Sequence, residues 1–166
     1  SKAVPEIIRE NGGEPVRTRV GHSFIKAKMA ETNAVFGGEH SAHYYFRDFW
    51  RADSGMLAAM HVLAALGQQD KPLSEMMAKY NRYAASGEIN SRLDSAEAQA
   101  DRTEAVVKAF ADRAENVDRL DGVTVELKDG NWFNVRASNT EPLLRLNVEA
   151  DTQEAVDALV KEILAI

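Results

Sequence analysis

Residues 122–150 read GVTVELKDGNWFNVRASNTEPLLRLNVEA, and this stretch decides the fold of the C-terminal half. GVTVEL and WFNV flank Asp129 and Gly130, a pair suited to the tight turn of a β-hairpin. Further on, Leu144, Leu146 and Val148 alternate with Arg145, Asn147 and Glu149, the period of a strand with one buried face. On either side the period changes to that of a helix. Upstream, Asp94 and Glu97 resemble a capping box opening a helix that carries Val106, Val107, Phe110 and Ala114 on one face. GEINSRL before it reads as a strand. Downstream, Asp151 and Glu154 form a second capping-box pattern before Val156, Leu159, Val160 and Ile163. The order β-α-β-β-β-α predicts a small α+β domain, with helices on one face of an antiparallel sheet.

The N-terminal half follows another pattern. SKAVPEIIREN predicts an amphipathic helix with Pro5 near its start, and PVRTRV (residues 15–20) a short strand. A helix beginning near His22 or Ser23 puts Ile25 and Met29 on its buried side, and AVFGG returns to a strand. Asp53 or Ser54 caps a helix with Met56, Leu57, Met60, Leu63 and Ala64 at apolar spacing. Pro72 opens another helix, bearing Leu73, Met76, Met77 and Tyr80. The methionines and His61 read as structural. This half fits a partial α/β layer, so the whole is α/β plus α+β, divided at the loosened pattern near Ser86 and Gly87: residues 1–84 and 85–166.

A net charge of -6 argues against nucleic acid or an anionic membrane surface as a partner, while local arginines leave room for a small anion. Cysteine is absent, which rules out disulfides and thiolate metal sites and is compatible with a reducing cytoplasm, the expected compartment. No apolar run approaches the roughly 18 to 20 residues of a membrane span, and no signal peptide is expected. A start on serine rather than methionine leaves open that the chain is a piece of a longer one.

Two short runs carry chemistry. GGEHSAHYYF, residues 37–46, combines a carboxylate, a hydroxyl and imidazoles; if extended, it shows Glu39, Ser41 and His43 on one face, a set suited to a polyhydroxy ligand. An exposed polar loop would read the same. RASNTEP, residues 136–142, offers a guanidinium fork from Arg136 with donors from Ser138, Asn139 and Thr140, a good phosphate trap. It is also ordinary turn chemistry, with Arg136 paired to Glu141. His22, between Gly21 and Ser23 at a helix start, is either a histidine of the capping region or one placed to meet electron-rich ligand atoms.

Taken in order, GHSFIKAKMAETNAVFGGEHSAHYYF and VRASNTEPLLRLNVEA resemble the α-D-phosphohexomutase family, in particular its bacterial phosphomannomutase/phosphoglucomutase branch. The resemblance runs over essentially the whole chain. It implies the latter part of the family's third domain (1–84) and the whole of its fourth (85–166). It also implies sugar binding by Glu39, Ser41, His43 and His22, and phosphate binding by Arg136, Ser138, Asn139 and Thr140. The family interconverts hexose 1- and 6-phosphates of mannose or glucose through a phosphoserine and a hexose 1,6-bisphosphate, with Mg2+ on an Asp-rich loop. Neither the nucleophilic serine nor the metal loop has a counterpart here, so this chain is expected to hold no catalytic nucleophile and no metal, to be inactive alone, and to need the missing N-terminal domains as partners. Phosphoglucosamine mutase or phosphoglucomutase activity, and a stand-alone phosphosugar-binding module, are the alternatives. The family's sugar loop commonly has glycine at the position of Ala42 and methionine at that of His40.

Overall fold

The computed structural model describes residues 1–138 and 141–166, which pack as two units, Ser1–Glu14 with Asn81–Ile166, and Pro15–Tyr80. In the first unit α1 (Ala3–Glu10) is followed, from residue 81 on, by β4 (Ala84–Ala85), β5 (Ile89–Arg92), α5 (Ala96–Ala109), β6 (Ala114–Asp118), β7 (Val123–Leu127), β8 (Trp132–Ala137), β9 (Leu143–Ala150) and α6 (Gln153–Leu164). The sheet is antiparallel in the order β4-β9-β8-β7-β6, with β5 on β9 beside β4, so that two short strands make one interrupted edge.

Its hairpin is the one expected from Asp129-Gly130: Val125 faces Phe133, and the Leu127 N–H meets the Asn131 carbonyl at 2.8 Å. Val123, Val125, Leu127, Phe133, Val135, Leu144, Leu146 and Val148 point to one side, where Val106 and Phe110 of α5 and Val156, Leu159 and Ile163 of α6 cover them. Each such side chain stabilises the fold by about 1.5–3 kcal/mol when fully buried. Both helices start one residue later than expected. Ser95 Oγ accepts from the Ala98 N–H and Thr152 Oγ1 from the Ala155 N–H, the hydroxyls displacing Asp94 and Asp151 as caps. Ala114 does not extend α5 but opens β6, because the helix ends at Ala109 with Phe110 as its C-cap. On the sheet's other face, α1 is tied down by the Arg82 fork on Glu10 (2.6 and 2.5 Å) and the Tyr83 hydroxyl on Glu6 (2.7 Å).

The unit Pro15–Tyr80 contains α2 (His22–Thr32), β1 (Phe36–Gly38), β2 (Tyr44–Phe46), β3 (Ala52–Asp53), α3 (Gly55–Gly67) and α4 (Leu73–Ala78), with the strands forming an antiparallel meander. Ile25 and Met29 are buried as the spacing requires, packed with Tyr45. Gly37 favours this close packing: a Cβ there would stand 3.0 Å from Ile25 Cγ2 and 3.1 Å from Met29 Sδ, so those side chains would have to give by a few tenths of an ångström. The expected strand at residues 15–20 forms no regular element, since no strand among the described residues ladders with it. Ser54, rather than Asp53, caps α3, accepting from the Leu57 N–H. The face of α3 expected in a core is exposed: Met56 is 78%, Met60 61% and Leu63 64% accessible. The helix forms, but nothing described in the unit covers its apolar stripe. Met77 of α4 is exposed too, so among Met29, Met56, Met60 and Met77 only Met29 is core. His61 stacks on Phe46 with ring centroids 5.4 Å apart. No helix among the described residues is long and apolar enough to cross a membrane.

Candidate functional site

The sugar-loop candidate is a hairpin turn, not an extended run. The strand β1 stops at Gly38, the Ala42 N–H bonds the Glu39 carbonyl at 3.1 Å, the Glu39 N–H bonds the His43 carbonyl at 2.9 Å, and β2 resumes at Tyr44. A turn rather than strand alternation therefore gathers Glu39, Ser41 and His43. All three line one cavity of about 480 Å3, together with His22 and Lys26 of α2 and Asp53 of β3. That volume is in the range of small-molecule sites. Ala42 has φ 65°, in the left-handed region, which glycine adopts freely and alanine at a cost of about 1–2 kcal/mol. An alanine in this conformation thus strains the turn.

Two polar pairs hold the cavity's groups in place. The buried Tyr45 donates its hydroxyl to Glu39 Oε1 at 2.5 Å. Burial first, and then this bond, push the Tyr45 phenol above its ordinary range, so it stays a donor and fixes one carboxylate oxygen of Glu39. His43 Nδ1 lies 2.6 Å from Asp53 Oδ2, while Asp53 Oδ1 accepts from the Tyr44 N–H at 2.8 Å. Hydrogen bonding to Asp53 and its charge raise the His43 pKa above the ordinary imidazole value. The same bond, with that from Tyr44, holds the Asp53 carboxyl below its ordinary value.

Sequence reasoning missed Tyr45, Lys26 and Asp53. Lys26 was in reach, because it stands one helical turn after His22 on the same face. In sequence Asp53 is one of two cap candidates beside Ser54; only the pairing of β2 with β3, which sets Tyr45 opposite Asp53, brings it to His43.

The second candidate lies on the other unit. Arg136 sits on β8 directly across from Arg145 of β9, both on the sheet face turned away from α5 and α6. Arg136 Nη1 is 3.5 Å from Asp121 Oδ2, so its counter-ion is Asp121 and not the expected Glu141. Gly122 lets that acid approach: its φ is 65°, and a Cβ there would stand 2.5 Å from the Val135 carbonyl and 2.8 Å from Arg136 Cβ. Glu141 faces Arg145 instead, at 3.6 Å. Ser138 links the strand ends: its N–H bonds the Leu143 carbonyl at 2.8 Å, and its hydroxyl accepts from the Glu141 N–H at 3.3 Å and from Arg145 at 3.5 Å. Asn139 and Thr140, also expected in this loop, lie outside the described residues. Among the described residues no three carboxylate or imidazole groups converge as a metal site requires.

Comparison with known proteins agrees with this architecture. The family model described as phosphoglucomutase/phosphomannomutase, alpha/beta/alpha domain III, matches residues 1–83, and the one for the C-terminal domain matches residues 88–166. The chain belongs to the phosphoglucomutase/phosphomannomutase family. It is 43% identical over 163 residues to a phosphomannomutase of Methanocaldococcus jannaschii, covering 98% of this chain and 35% of that protein. It is 44% identical over 146 residues to a phosphohexose mutase of Xanthomonas campestris pv. campestris, covering 87% of this chain and 32% of that one. A crystal structure of a phosphoglucomutase/phosphomannomutase family protein from Burkholderia thailandensis superposes with a TM-score of 0.78 at 31% identity, over 97% of this chain and 34% of that one. The chain thus spans about a third of the length of the relatives it matches.

Proposed function

We propose that this chain supplies the substrate-binding part of a phosphohexomutase that interconverts hexose 1- and 6-phosphates through a phosphoserine and a hexose 1,6-bisphosphate, with mannose and glucose phosphates as substrates. Residues 1–84 serve as part of a third domain and 85–166 as the fourth. The nucleophile and the magnesium ligands belong to the remaining domains of the same polypeptide. Glu39 and Ser41 take sugar hydroxyls, His22 and His43 lie beside them, and Arg136, Ser138, Asn139 and Thr140 take the phosphate that is not reacting. Phosphoryl transfer depends chiefly on positioning and charge stabilisation, and this chain contributes the positioning.

The observation that carries the reading is the cavity around residues 39–43, where two of the ligand-facing groups, Glu39 and His43, are each held by a partner side chain. Prearranged polar groups of this kind recognise hydroxyls at low ordering cost. Calorimetry of the chain with mannose 1-phosphate, mannose and inorganic phosphate tests it. Tighter binding of the phosphosugar than of either half is expected, weakened roughly tenfold or more by Glu39→Gln, as for losing a charge-assisted hydrogen bond. No turnover is expected when magnesium is added. Equal binding of phosphate and phosphosugar, or turnover by the chain alone, would contradict the proposal.

A further inference from the structure

The proposed function assigns His43 to the ligand but gives no role to Asp53, which family resemblance did not single out and whose carboxylate has both oxygens engaged. One accepts from the Tyr44 N–H at 2.8 Å and the other meets His43 Nδ1 at 2.6 Å. An ionised carboxylate offers no proton, so the hydrogen in the second contact belongs to Nδ1. The bond that one imidazole nitrogen makes sets the state of the other. With Nδ1 carrying its proton toward Asp53, Nε2 is left as the nitrogen free to exchange one.

The backbone makes this arrangement rigid. Asp53 stands opposite Tyr45 in the β2–β3 ladder, and His43 precedes Tyr44 at the start of β2, so the carboxylate spans the strand end and grips both the main chain and the ring. Ser54 takes over the capping of α3, which leaves Asp53 free for this task. The other charged or titratable groups around the cavity are Glu39 before the turn, Tyr45 on β2, whose hydroxyl is given to Glu39, and His22 and Lys26 on α2. The Glu39 charge adds to that of Asp53 at the His43 ring.

We infer that Asp53 is a positioning residue: it holds the Nδ1 proton of His43 and so commits Nε2 as the atom that faces the bound ligand. In the neutral ring Nε2 accepts a hydrogen bond from a hydroxyl; in the imidazolium it donates one to a hydroxyl or phosphate oxygen. In both states Nδ1 keeps its proton and donates it to Asp53. The ligand class rests on the proposed function, whereas the tautomer does not.

Long-range 15N correlation spectra of the histidine-labelled chain, without ligand and across pH, read the tautomer directly. The expected neutral His43 has a protonated Nδ1 and a bare Nε2. In Asp53→Asn the side chain has a single acceptor oxygen for two donors, and the expected result is a switch toward the Nε2-protonated form with the imidazolium losing its proton at lower pH. Ser54→Ala disturbs the same junction by removing the helix cap but leaves the pair intact, and should keep the wild-type tautomer. An Nε2-protonated His43 in the wild-type chain would overturn the inference whether or not the variants fold, as would an unchanged tautomer and titration in a folded Asp53→Asn. Mannose 1-phosphate added afterwards tests the ligand assignment separately: a silent His43 would count against the hexose phosphate, not against the role of Asp53.

Discussion

Among the described residues the C-terminal unit joins fourteen buried apolar side chains in one core, whereas the unit Pro15–Tyr80 buries three, Ile25, Met29 and Tyr45. The first holds Arg136 by packing, since that residue lies on a strand clamped between neighbours in a filled sheet. The second has a thin core and an apolar helix face in the open, including a groove of about 890 Å3 lined by Phe36, Phe46, Val62 and Leu63. Its site is shaped instead by two polar pairs, Tyr45 with Glu39 and His43 with Asp53. Packing resists deformation through many weak contacts, while each polar pair depends on single atoms.

The sharpest way to test this contrast is to remove Phe133, fully buried and 4.9 Å from the ring of Phe110. Phe133→Ala should destabilise the C-terminal unit by about 3–5 kcal/mol in urea unfolding. A loss below about 1 kcal/mol would mean that the core is not packed as described. Next in size is Tyr45→Phe, which keeps the ring and deletes only the donor to Glu39. A cost of about 1.5–3 kcal/mol is expected, read from amide exchange in residues 36–46. An effect near zero would show that the pair does not order the cavity.

The His43–Asp53 pair adds a pH signature that the apolar core lacks. Asp53 has its pKa lowered, so its contribution is present above the ordinary carboxyl value of 3.8 and is lost as pH falls through the depressed one. His43 has its pKa raised, so its contribution is full below the ordinary 6.5 and is lost as pH rises through the elevated one. The stability gap between the wild type and Asp53→Asn should therefore be widest between those two ordinary values and narrow on either side. A gap that is flat with pH would remove the ion pair from the account. The smallest effect belongs to the open helix face: Met56→Glu should change the stability of this chain by no more than about 0.5 kcal/mol. A loss of several kcal/mol would mean that Met56 is buried in solution.

These differences also explain what the sequence made legible. The hairpin of β7 and β8 and the core face of β9 were readable because alternation and an Asp-Gly turn point to the same structure. β6 escaped notice because AENVD offers only Ala114 and Val117 as apolar residues, and its exposed middle resembles the loop after α5. On α3 the periodicity correctly gave a helix, but periodicity reports which face is apolar and not whether anything covers it. Glu39, Ser41 and His43 would share a face in an extended strand, but they meet through a turn. Local chemistry named the groups, but Asp53, ten residues from His43, becomes visible only through strand pairing.

The most direct measurement is an amide NMR titration of the chain with mannose 1-phosphate, alongside mannose and inorganic phosphate. The account predicts shifts at Ser138 and its neighbours with both phosphate compounds, and at Glu39, Ser41 and His43 with the phosphosugar but not with phosphate. Shifts confined to other residues, or none at millimolar ligand, would contradict the claim that this chain carries a preformed substrate-binding half.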